Sequence, residues 1–527
     1  MRRLIAIPAV VVLYLCCSCG SPTEEKEQDH GTATEEALLT GQQLSLKYCQ
    51  SCHLYPEPET LDKYTWERSV LPLMGRMFGI YEDLVPRSKV LEGAINKKEV
   101  EALNIFPKEQ TISDRDWQKI TEYYVSKAPE PLPPDSRKDP KYGGLTGFEV
   151  VFPEVNKQIN VSLIKIDSDT QQIYVGDSKG GRGILHVFDR QFQPLHTLPL
   201  PSPPTDITAG NDSLALTLSG SFRLRPSNNP FGELIYIFRK TGEENYSSFS
   251  RFYDVLNRPV QTVFEDVTGD GSEDMLIAEF GYYTGALSLY QGAGDNSKMY
   301  KKNVLKNVPG AVRAYVRDMD ADGHKDVVAL FGQGDEGISI FYNDGQGNFD
   351  EDRVLRFSPA YGSVYFELVD FNGDGFLDIL YANGDNGDYP PVLKDYHGIR
   401  IFENDGRNNF NEVYFFPMFG AFKSSAVDFD LDGDLDIIGI SHFPDFQSGQ
   451  RQDLVYLENK GNYSFSAKHL DRNIPARWIT FDIADLDGDG FQDIVLGSLG
   501  IYKKEADGNE NSQDHPSLVL LRNLGKN

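Results

Sequence analysis

The sequence predicts a multidomain protein in which a small all-α domain precedes a large all-β domain built from about seven repeats. Three observations predict this organisation. Forty-eight glycines and 29 prolines among 527 residues, with few long helical patterns, indicate turn-rich β structure. One acidic loop occurs five times, each time directly before an apolar run of strand length. A proline-rich spacer near residue 131 separates these repeats from a shorter segment with helical patterns.

The composition is acidic, with a formal net charge of −28 and a pI of about 4.7. Such a field repels the phosphates of nucleic acids and the headgroups of anionic lipids. We therefore expect no nucleic-acid partner and no membrane contact other than an anchor.

The first 19 residues are predicted to be an export signal. Two arginines precede the apolar run from Leu4 to Leu15, which is shorter than the roughly 20 apolar residues of a membrane span. The sequence Ser18-Cys19-Gly20 at its end resembles a bacterial lipoprotein cleavage site. The resemblance implies that Cys19 carries the lipid; Cys17 and a plain cleaved signal are the alternatives. The protein is therefore expected to be exported and membrane-anchored, on the periplasmic or outer-membrane side of the envelope or on the cell surface.

Two polar segments are predicted to connect the functional parts. The acidic composition of residues 20–40 predicts a solvated tether. Residues 131–146 begin with a proline-rich stretch that is expected to form a stiff, extended linker. The helical domain between them is assigned to residues 41–130, and the β domain to residues 147–527.

The pentapeptide Cys49-Gln50-Ser51-Cys52-His53 predicts one covalently attached haem c. Two thiols at this spacing can each add to a vinyl group, and the adjacent His53 then reaches the iron. A redox-active CxxC or half of a zinc site is the alternative. A zinc site would need a second cysteine pair, and the remaining three cysteines lie at the end of the signal. A redox-active CxxC would be expected within a thioredoxin-like pattern, and none surrounds this motif.

Residues 41–130 resemble a class I cytochrome c. Gly41 to Tyr48 is predicted as its N-terminal helix, and Asp116 to Tyr124 belongs to the C-terminal helix that would cross it. No second histidine lies in this segment. Met74, in the setting Leu-Pro-Leu-Met-Gly, looks like the sixth-ligand segment of related cytochromes, with Met77 as the alternative. A His/Met pair would make the iron an electron carrier.

Five acidic loops share one layout, with oxygen-bearing side chains at positions 1, 3, 5 and 9 and glycine at position 6. Alternating oxygen ligands with a glycine turn are typical of a hard-cation loop. Because position 9 leads into an apolar run, the loops join strands and not the helices of an EF-hand. About five Ca²⁺ ions are predicted, favoured over Mg²⁺; an acidic turn without a cation is the alternative. The first site is expected to be the weakest, because a threonine replaces a carboxylate there. The predicted ligands are Asp266, Thr268, Asp270, Asp274, Asp318, Asp320, Asp322, Asp326, Asp370, Asn372, Asp374, Asp378, Asp428, Asp430, Asp432, Asp436, Asp485, Asp487, Asp489 and Asp493.

Residues 147–527 resemble the FG-GAP or VCBS repeats of integrin-like β-propellers. After its acidic loop, a repeat continues to a hairpin such as Asn343-Asp344-Gly345. Two further repeats, from Val161 to Phe188 and from Pro204 to Phe238, lack the acidic loop. The resemblance implies a seven-bladed β-propeller, with six or eight blades as alternatives. Radial closure would also remove exposed sheet edges.

Two functions follow from these assignments. The first is electron transfer by the haem to a redox partner protein, with the propeller mediating docking or ligand binding. The alternative is a glycan- or protein-binding lipoprotein in which the haem is accessory. An enzyme has no support, because no nucleophile constellation and no nucleotide loop occurs. A recognition surface opposite the calcium loops is predicted from the long loops Phe280–Thr284, Asn383–Tyr396, His442–Gln450 and Tyr502–His515.

Overall fold

The computed structural model describes residues 39–527 except 83–84, 92–95, 133–141, 156–158, 180–181, 211–212, 222–225, 240–245, 293–299, 388–391, 446–452, 471–473, 475, 500–515 and 526–527. The predicted signal with Cys17 and Cys19, and nearly all of the tether, lie outside the described residues. Within the described part of the chain, no helix is both long and apolar enough to cross a membrane.

The N-terminal region is helical. A capping box begins its first helix, because the Thr40 hydroxyl accepts from the Gln43 backbone N–H while the Gln43 side chain accepts from the Thr40 N–H. The α-helices are α1 Gly41–Cys49, α2 Lys63–Thr65, α3 Leu71–Met77, α4 Arg87–Val90, α5 Lys97–Ala102 and α6 Asp114–Lys127. A 3₁₀ turn at Pro58–Thr60 and a π-helical turn at Trp66–Val70 complete the described helical segments.

The two predicted helices of this region are present and pack against each other. A Cβ atom at Gly41 would lie 2.2 Å from the carbonyl oxygen of Lys119, so the close approach of α1 and α6 requires glycine. Leu44 of α1 and Ile120 and Tyr124 of α6 are buried in the shared core. The expected crossing therefore occurs, although the crossing alone does not identify the fold.

The rest of the chain forms seven sheets, here called blades I to VII, and the predicted seven-bladed β-propeller is confirmed. Two short strands precede the first complete blade: β1 Gly143–Gly144 and β2 Phe148–Val151. Blade I contains β3 Val161–Asp167, β4 Gln172–Asp177, β5 Gly183–Phe188 and β6 Pro194–Leu200. Blade II contains β7 Pro204–Ala209, β8 Ser213–Leu218, β9 Gly232–Arg239 and β10 Tyr246–Leu256.

The acidic loops begin with the third blade. Blade III contains β11 Pro259–Glu265, β12 Asp274–Glu279, β13 Ala286–Gly292 and β14 Tyr300–Lys306. Blade IV contains β15 Ala311–Arg317, β16 Asp326–Phe331, β17 Gly337–Asn343 and β18 Phe349–Arg356. Blade V contains β19 Ser363–Val369, β20 Asp378–Asn383, β21 Gly398–Asn404 and β22 Phe410–Pro417.

The last two blades also use strands from the N-terminal side of the propeller. Blade VI contains β23 Ala421–Val427, β24 Asp436–Ser441, β25 Leu454–Asn459 and β26 Phe465–His469, and β1 adds to its outer edge parallel to β26. Blade VII contains β27 Trp478–Ala484, β28 Asp493–Ser498 and β29 Leu518–Asn523, and β2 completes it antiparallel to β29. The predicted linker, residues 131–146, therefore ends in a strand on the edge of blade VI.

The blades pack face to face around a ring. The second strands of blades III to VII are buried along their whole length, which explains the apolar residues that follow the aspartate at the start of each strand. Innermost strands are also tied across blade boundaries: Asp482 of blade VII accepts from the Ile166 N–H of blade I at 2.7 Å. Glu367 of blade V likewise accepts from the Ala426 N–H of blade VI at 3.1 Å. These bonds fix neighbouring blades relative to one another.

Candidate functional site

All five acidic loops lie on one face of the propeller. Each joins the first and second strands of its blade, in blades III to VII, and none occurs in blades I and II within the described residues. Loops at equivalent places in successive blades share a face of the ring. The predicted grouping of the loops on one side therefore follows from the observed topology.

The polar side chains of each loop are held by the loop's own backbone. In blade VII, the Asp485 carboxylate at position 1 accepts from the N–H groups of Gly488 at 2.7 Å and Gly490 at 2.9 Å. Asp489 at position 5 accepts from the Phe491 N–H at 2.9 Å. The glycine at position 6 has φ between +85° and +96° in all five loops, a left-handed conformation that favours glycine. The sharp turn expected from the sequence is present.

Carboxylate oxygens converge in three of the loops, where they lie within 4.8 Å of one another. Thr268 and Asn372 occupy position 3 of the other two loops, so these loops have fewer carboxylates. Like charges this close repel one another unless a cation lies between them. The clusters are compatible with Ca²⁺ binding. Their members are Asp318, Asp320 and Asp326; Asp428, Asp430 and Asp432; and Asp485, Asp487 and Asp493.

The aspartate at position 9 is buried in every loop and links the loop to the blade core. One Asp493 oxygen accepts from the Leu486 N–H within the loop at 3.1 Å, and the other accepts from the Asn523 N–H on β29 at 2.8 Å. Burial raises the pKa of Asp493 to about 6, and it raises the pKa of Asp436 to about 6 in blade VI. Position 9 therefore connects the acidic loop to the strands behind it.

An asparagine at the end of the third strand was missed as a site residue. Asn343 donates from Nδ2 to the carbonyl of Val267, in the acidic loop of the preceding blade, at 2.9 Å. Asn523 makes the same contact to the carbonyl of Phe429 at 2.8 Å. The sequence pattern predicts only a role in the turn for Asn343. An asparagine ends the third strand in four repeats, and this recurrence is the feature of the sequence that could have indicated a structural role.

The residue at position 4 of each loop also adopts positive φ, which leads to a stability prediction. Leu431 has φ +56° and is 56% exposed, whereas Gly373 occupies the equivalent position in blade V. A residue with a Cβ atom loses about 1 kcal/mol of folding stability when its backbone is held in this left-handed conformation. We expect Leu431→Gly to raise the free energy of unfolding by about 0.5–1 kcal/mol, measured by chemical denaturation in saturating Ca²⁺.

Gly373→Leu is the matched control, because no atom lies within 4 Å of the Cβ position at Gly373. It is expected to lower the free energy of unfolding by about 1 kcal/mol. A loss of stability in Leu431→Gly would instead mean that the leucine side chain makes contacts worth more than the backbone strain.

The CxxCH segment follows directly from α1. Cys49 is the last residue of the helix and packs against the helical core, while Cys52 is exposed in the turn that follows, and both thiols are free. The His53 Nδ1 donates to the carbonyl of Leu54 at 2.9 Å, so Nε2 is the ring nitrogen available to a further partner. Burial raises the pKa of the Cys49 thiol to about 11. A lowered thiol pKa favours thiol–disulfide exchange, and the Cys49 thiol has the opposite shift.

A row of half-buried aromatic rings connects the CxxCH segment to α3. Tyr48, next to Cys49, meets Phe78 edge-on at a centroid distance of 5.8 Å, and Phe78 lies 5.8 Å from Trp117 of α6. A Cβ atom at Gly75 would lie 3.2 Å from the Trp117 ring. The helix that carries Met74 therefore packs close to the CxxCH segment, along an apolar wall.

The two candidate methionines have different surroundings. Met77 packs against a small buried cluster of Leu91, Val100 and Phe106. Met74, half-buried on the same helix, belongs to neither hydrophobic cluster of the described helical region. Met77 therefore has a packing role that Met74 lacks.

The helical region covers part of the propeller face opposite the acidic loops, a contact that the sequence analysis missed. Tyr396 of blade V packs against the helical core, and its hydroxyl donates to the Thr60 carbonyl at 2.8 Å. Ala360, between blades IV and V, is buried in the same core. Two of the four long loops predicted as a recognition surface thus contact the helices, through Tyr283 and Tyr396. Residues 446–450 and 502–515 of the other two loops lie outside the described residues.

Comparisons with known proteins agree with the repeat assignment. The model of the FG-GAP-like repeat matches residues 318–381 and 428–496, so the chain contains FG-GAP repeats. The solved structures that are similar to this chain include the following three. A chain of the S. cerevisiae complex of Dbp5 with Nup159, Gle1, IP6 and ADP is 10% identical, with 73% of this chain and 98% of that chain covered and a TM-score of 0.43. The N-terminal domain of Nup159 is 10% identical, with 73% and 97% covered and a TM-score of 0.42. The Dos1 propeller is 11% identical, with 70% and 79% covered and a TM-score of 0.41. No curated protein matches the chain significantly.

Proposed function

We propose that the protein is a cell-envelope lipoprotein that transfers electrons through one haem c, with a calcium-stabilised propeller that binds a partner or ligand. The electron-transfer part of this proposal is supported mainly by the free thiols and the histidine orientation in the CxxCH segment. Two free thiols stand beside a histidine whose Nδ1 is already occupied by the Leu54 carbonyl. This arrangement leaves Nε2 as the metal-binding atom of His53.

The surrounding residues fit a haem. Cys49 and Cys52 would supply the two attachment thiols, and His53 would supply a nitrogen to the iron. Tyr48, Phe78 and Trp117 supply an apolar wall of the kind that a flat macrocycle requires. Met74 would supply the second ligand to the iron, because Met77 packs against the cluster of Leu91, Val100 and Phe106. Bound in this way, the iron would cycle between two oxidation states at a raised potential.

The protein's own residues would insulate this chemistry and limit its reorganisation. Ser45 and Tyr55 share a hydrogen bond of 3.0 Å behind the CxxCH segment, and the Trp66 indole donates to the Pro58 carbonyl at 2.8 Å. These bonds hold the turn after α1 against the helical core. A rigid surrounding is what an electron carrier needs, because the site then changes little between its two charge states.

The acidic loops are proposed to hold about five Ca²⁺ ions, which stabilise the blades and leave the opposite face for binding. FG-GAP repeats form a propeller compatible with protein or ligand binding. We further propose that Cys19 anchors the exported protein to a membrane at the cell envelope, and that a redox partner protein exchanges electrons with the haem.

Haem attachment is the first test of this function. The full chain is expressed by export in a cell that attaches haem c, and the mass and the pyridine haemochrome spectrum of the product are measured. One haem per chain is expected for the natural sequence, and none for Cys49→Ser/Cys52→Ser. Equal amounts of tightly bound haem in both proteins, or none in either, would contradict a covalent haem site.

The second candidate function is a binding lipoprotein for a glycan or another protein, with the haem as an accessory. The FG-GAP repeats favour it, since the matched residues 318–381 and 428–496 lie in the propeller and contain no cysteine that could attach a haem. Ligand affinity that is independent of the haem oxidation state would favour this candidate. Affinity for a partner that changes on reduction would favour electron transfer.

A further inference from the structure

One loop of the propeller is held rigidly where it meets the helical region. This loop, here called the 283 turn, comprises residues 282–284 between β12 and β13 of blade III. The Asn228 side chain of blade II accepts from the N–H groups of Tyr283 and Thr284, at 2.7 and 3.2 Å. The Thr284 hydroxyl donates to the Asn257 side chain at 3.1 Å, and Gln333 of blade IV donates to the Tyr282 carbonyl. Side chains from blades II and IV and from the connection into blade III therefore fix the position of the turn.

The 283 turn inserts its tyrosine into the helical region. The Tyr283 ring meets Phe106 edge-on, at a centroid distance of 5.1 Å and an interplanar angle of 85°. It packs against the buried cluster of Leu91, Val100 and Phe106. Beside it, the Asn96 side chain donates to the Thr284 hydroxyl at 3.3 Å. An aromatic anchor held by a preorganised backbone loses little entropy on docking.

The same cluster contacts the helix that carries Met74. Leu73 and Met77, one residue before and three residues after Met74, both pack against it. Tyr283 and α3 therefore share one set of apolar neighbours. A displacement of the turn would change the packing on the side of α3 from which Leu73 and Met77 project.

We propose that Tyr283 is a positioning residue for Met74, so that the propeller sets how firmly the methionine is held as an axial ligand. The inference rests on the proposed haem function. A thioether is a weak ligand, and its hold on a metal depends on the residues that orient it. By docking on the cluster beside α3, the 283 turn restrains the helix and disfavours its movement away from the iron.

The test is displacement of the methionine by imidazole in the haem-loaded full chain, followed in the visible spectrum. In Tyr283→Ala, imidazole is expected to bind about tenfold more tightly than in the natural sequence. Tyr283→Phe keeps the ring and is expected to restore the original affinity. Tyr396→Ala removes a second aromatic contact between the two regions. Tyr396 belongs to the core around Leu44 and Tyr124, which is distinct from the cluster of Leu91, Val100 and Phe106, so this variant is expected to change the affinity by less than about twofold.

The outcomes separate the positioning role from its alternatives. An unchanged affinity in Tyr283→Ala, or an equal change in Tyr283→Ala and Tyr396→Ala, would overturn the proposal. Hydrogen exchange of residues 71–77 is measured on the same proteins, and faster exchange confined to this helix is expected in Tyr283→Ala. This readout does not depend on haem. Failure of the chain to attach haem would therefore contradict the proposed function. Unaltered hydrogen exchange of residues 71–77 in Tyr283→Ala would contradict the docking role of the 283 turn.

Discussion

Replacing Met74 with alanine in the haem-loaded protein is expected to remove the methionine–iron charge-transfer band at about 695 nm and to lower the reduction potential by roughly 0.2 V. The thioether stabilises reduced iron, and water or a weaker ligand in its place does so less. Optical spectra of the oxidised protein and a redox titration measure both changes. This variant tests the assignment of Met74 over Met77, because the two lie on the same helix, α3.

Met77→Ala is the matched control. Because Met77 packs against Leu91, Val100 and Phe106, its truncation is expected to lower the free energy of unfolding by about 1–2 kcal/mol while leaving the band in place. Loss of the band in Met77→Ala and its persistence in Met74→Ala would reverse the assignment. A high-spin spectrum already present in the natural sequence would point to ligand sensing or catalysis in place of electron transfer.

Removal of calcium by a chelator is expected to lower the melting temperature of the propeller by about 10 °C or more. A bound ion in hundredfold excess over its Kd stabilises the folded state by about 2.7 kcal/mol, and five sites act on one cooperative ring. The converging carboxylates also repel one another once the cation has gone. Thermal unfolding followed by circular dichroism, with and without chelator and after readdition of Ca²⁺, measures the shift.

Thr268→Asp tests the loop assignment within this experiment. It adds a carboxylate at position 3 of the blade III loop, where Asp266 and Asp270 already lie. The variant is expected to unfold at a higher temperature than the natural sequence in Ca²⁺ and at a lower one in chelator, because the added charge needs the cation. If the chelator leaves the melting temperature of both proteins unchanged, the loops hold no structural cation.

The blades and their acidic loops could be predicted from the sequence because the signal is local and repeated. Each loop has its polar residues at fixed spacing, and each is followed by a strand such as Asp436–Ser441 that is buried on both faces. The number of blades also followed, since the first two repeats keep the strand pattern without the acidic loop. The asparagines that join neighbouring loops were overlooked, because asparagine before glycine already has an explanation as a turn residue.

The docking of the helical region could not be predicted in the same way. Its contacts join residues far apart in the chain, such as Phe106 with Tyr283 and Thr60 with Tyr396. Aromatic residues in irregular loops have no periodicity to indicate a buried partner, so they were interpreted as a surface for an external ligand. Similarly, the pairing of β1 with blade VI involves two glycines, whose side chains carry no pattern. Non-local packing, and not local propensity, decides these features.

The pairing of β2 with β29 has a consequence for biosynthesis. Blade VII lacks its outer strand until the two have met, and β29 is synthesised after all the other strands of the ring. Before the two strands have met, the ring is open and its sheets have unpaired edges, a form prone to association with other chains. The helical region is synthesised first, and its core is completed by Ala360 of the propeller. Pairing of β29 with β2 then completes blade VII and closes the propeller.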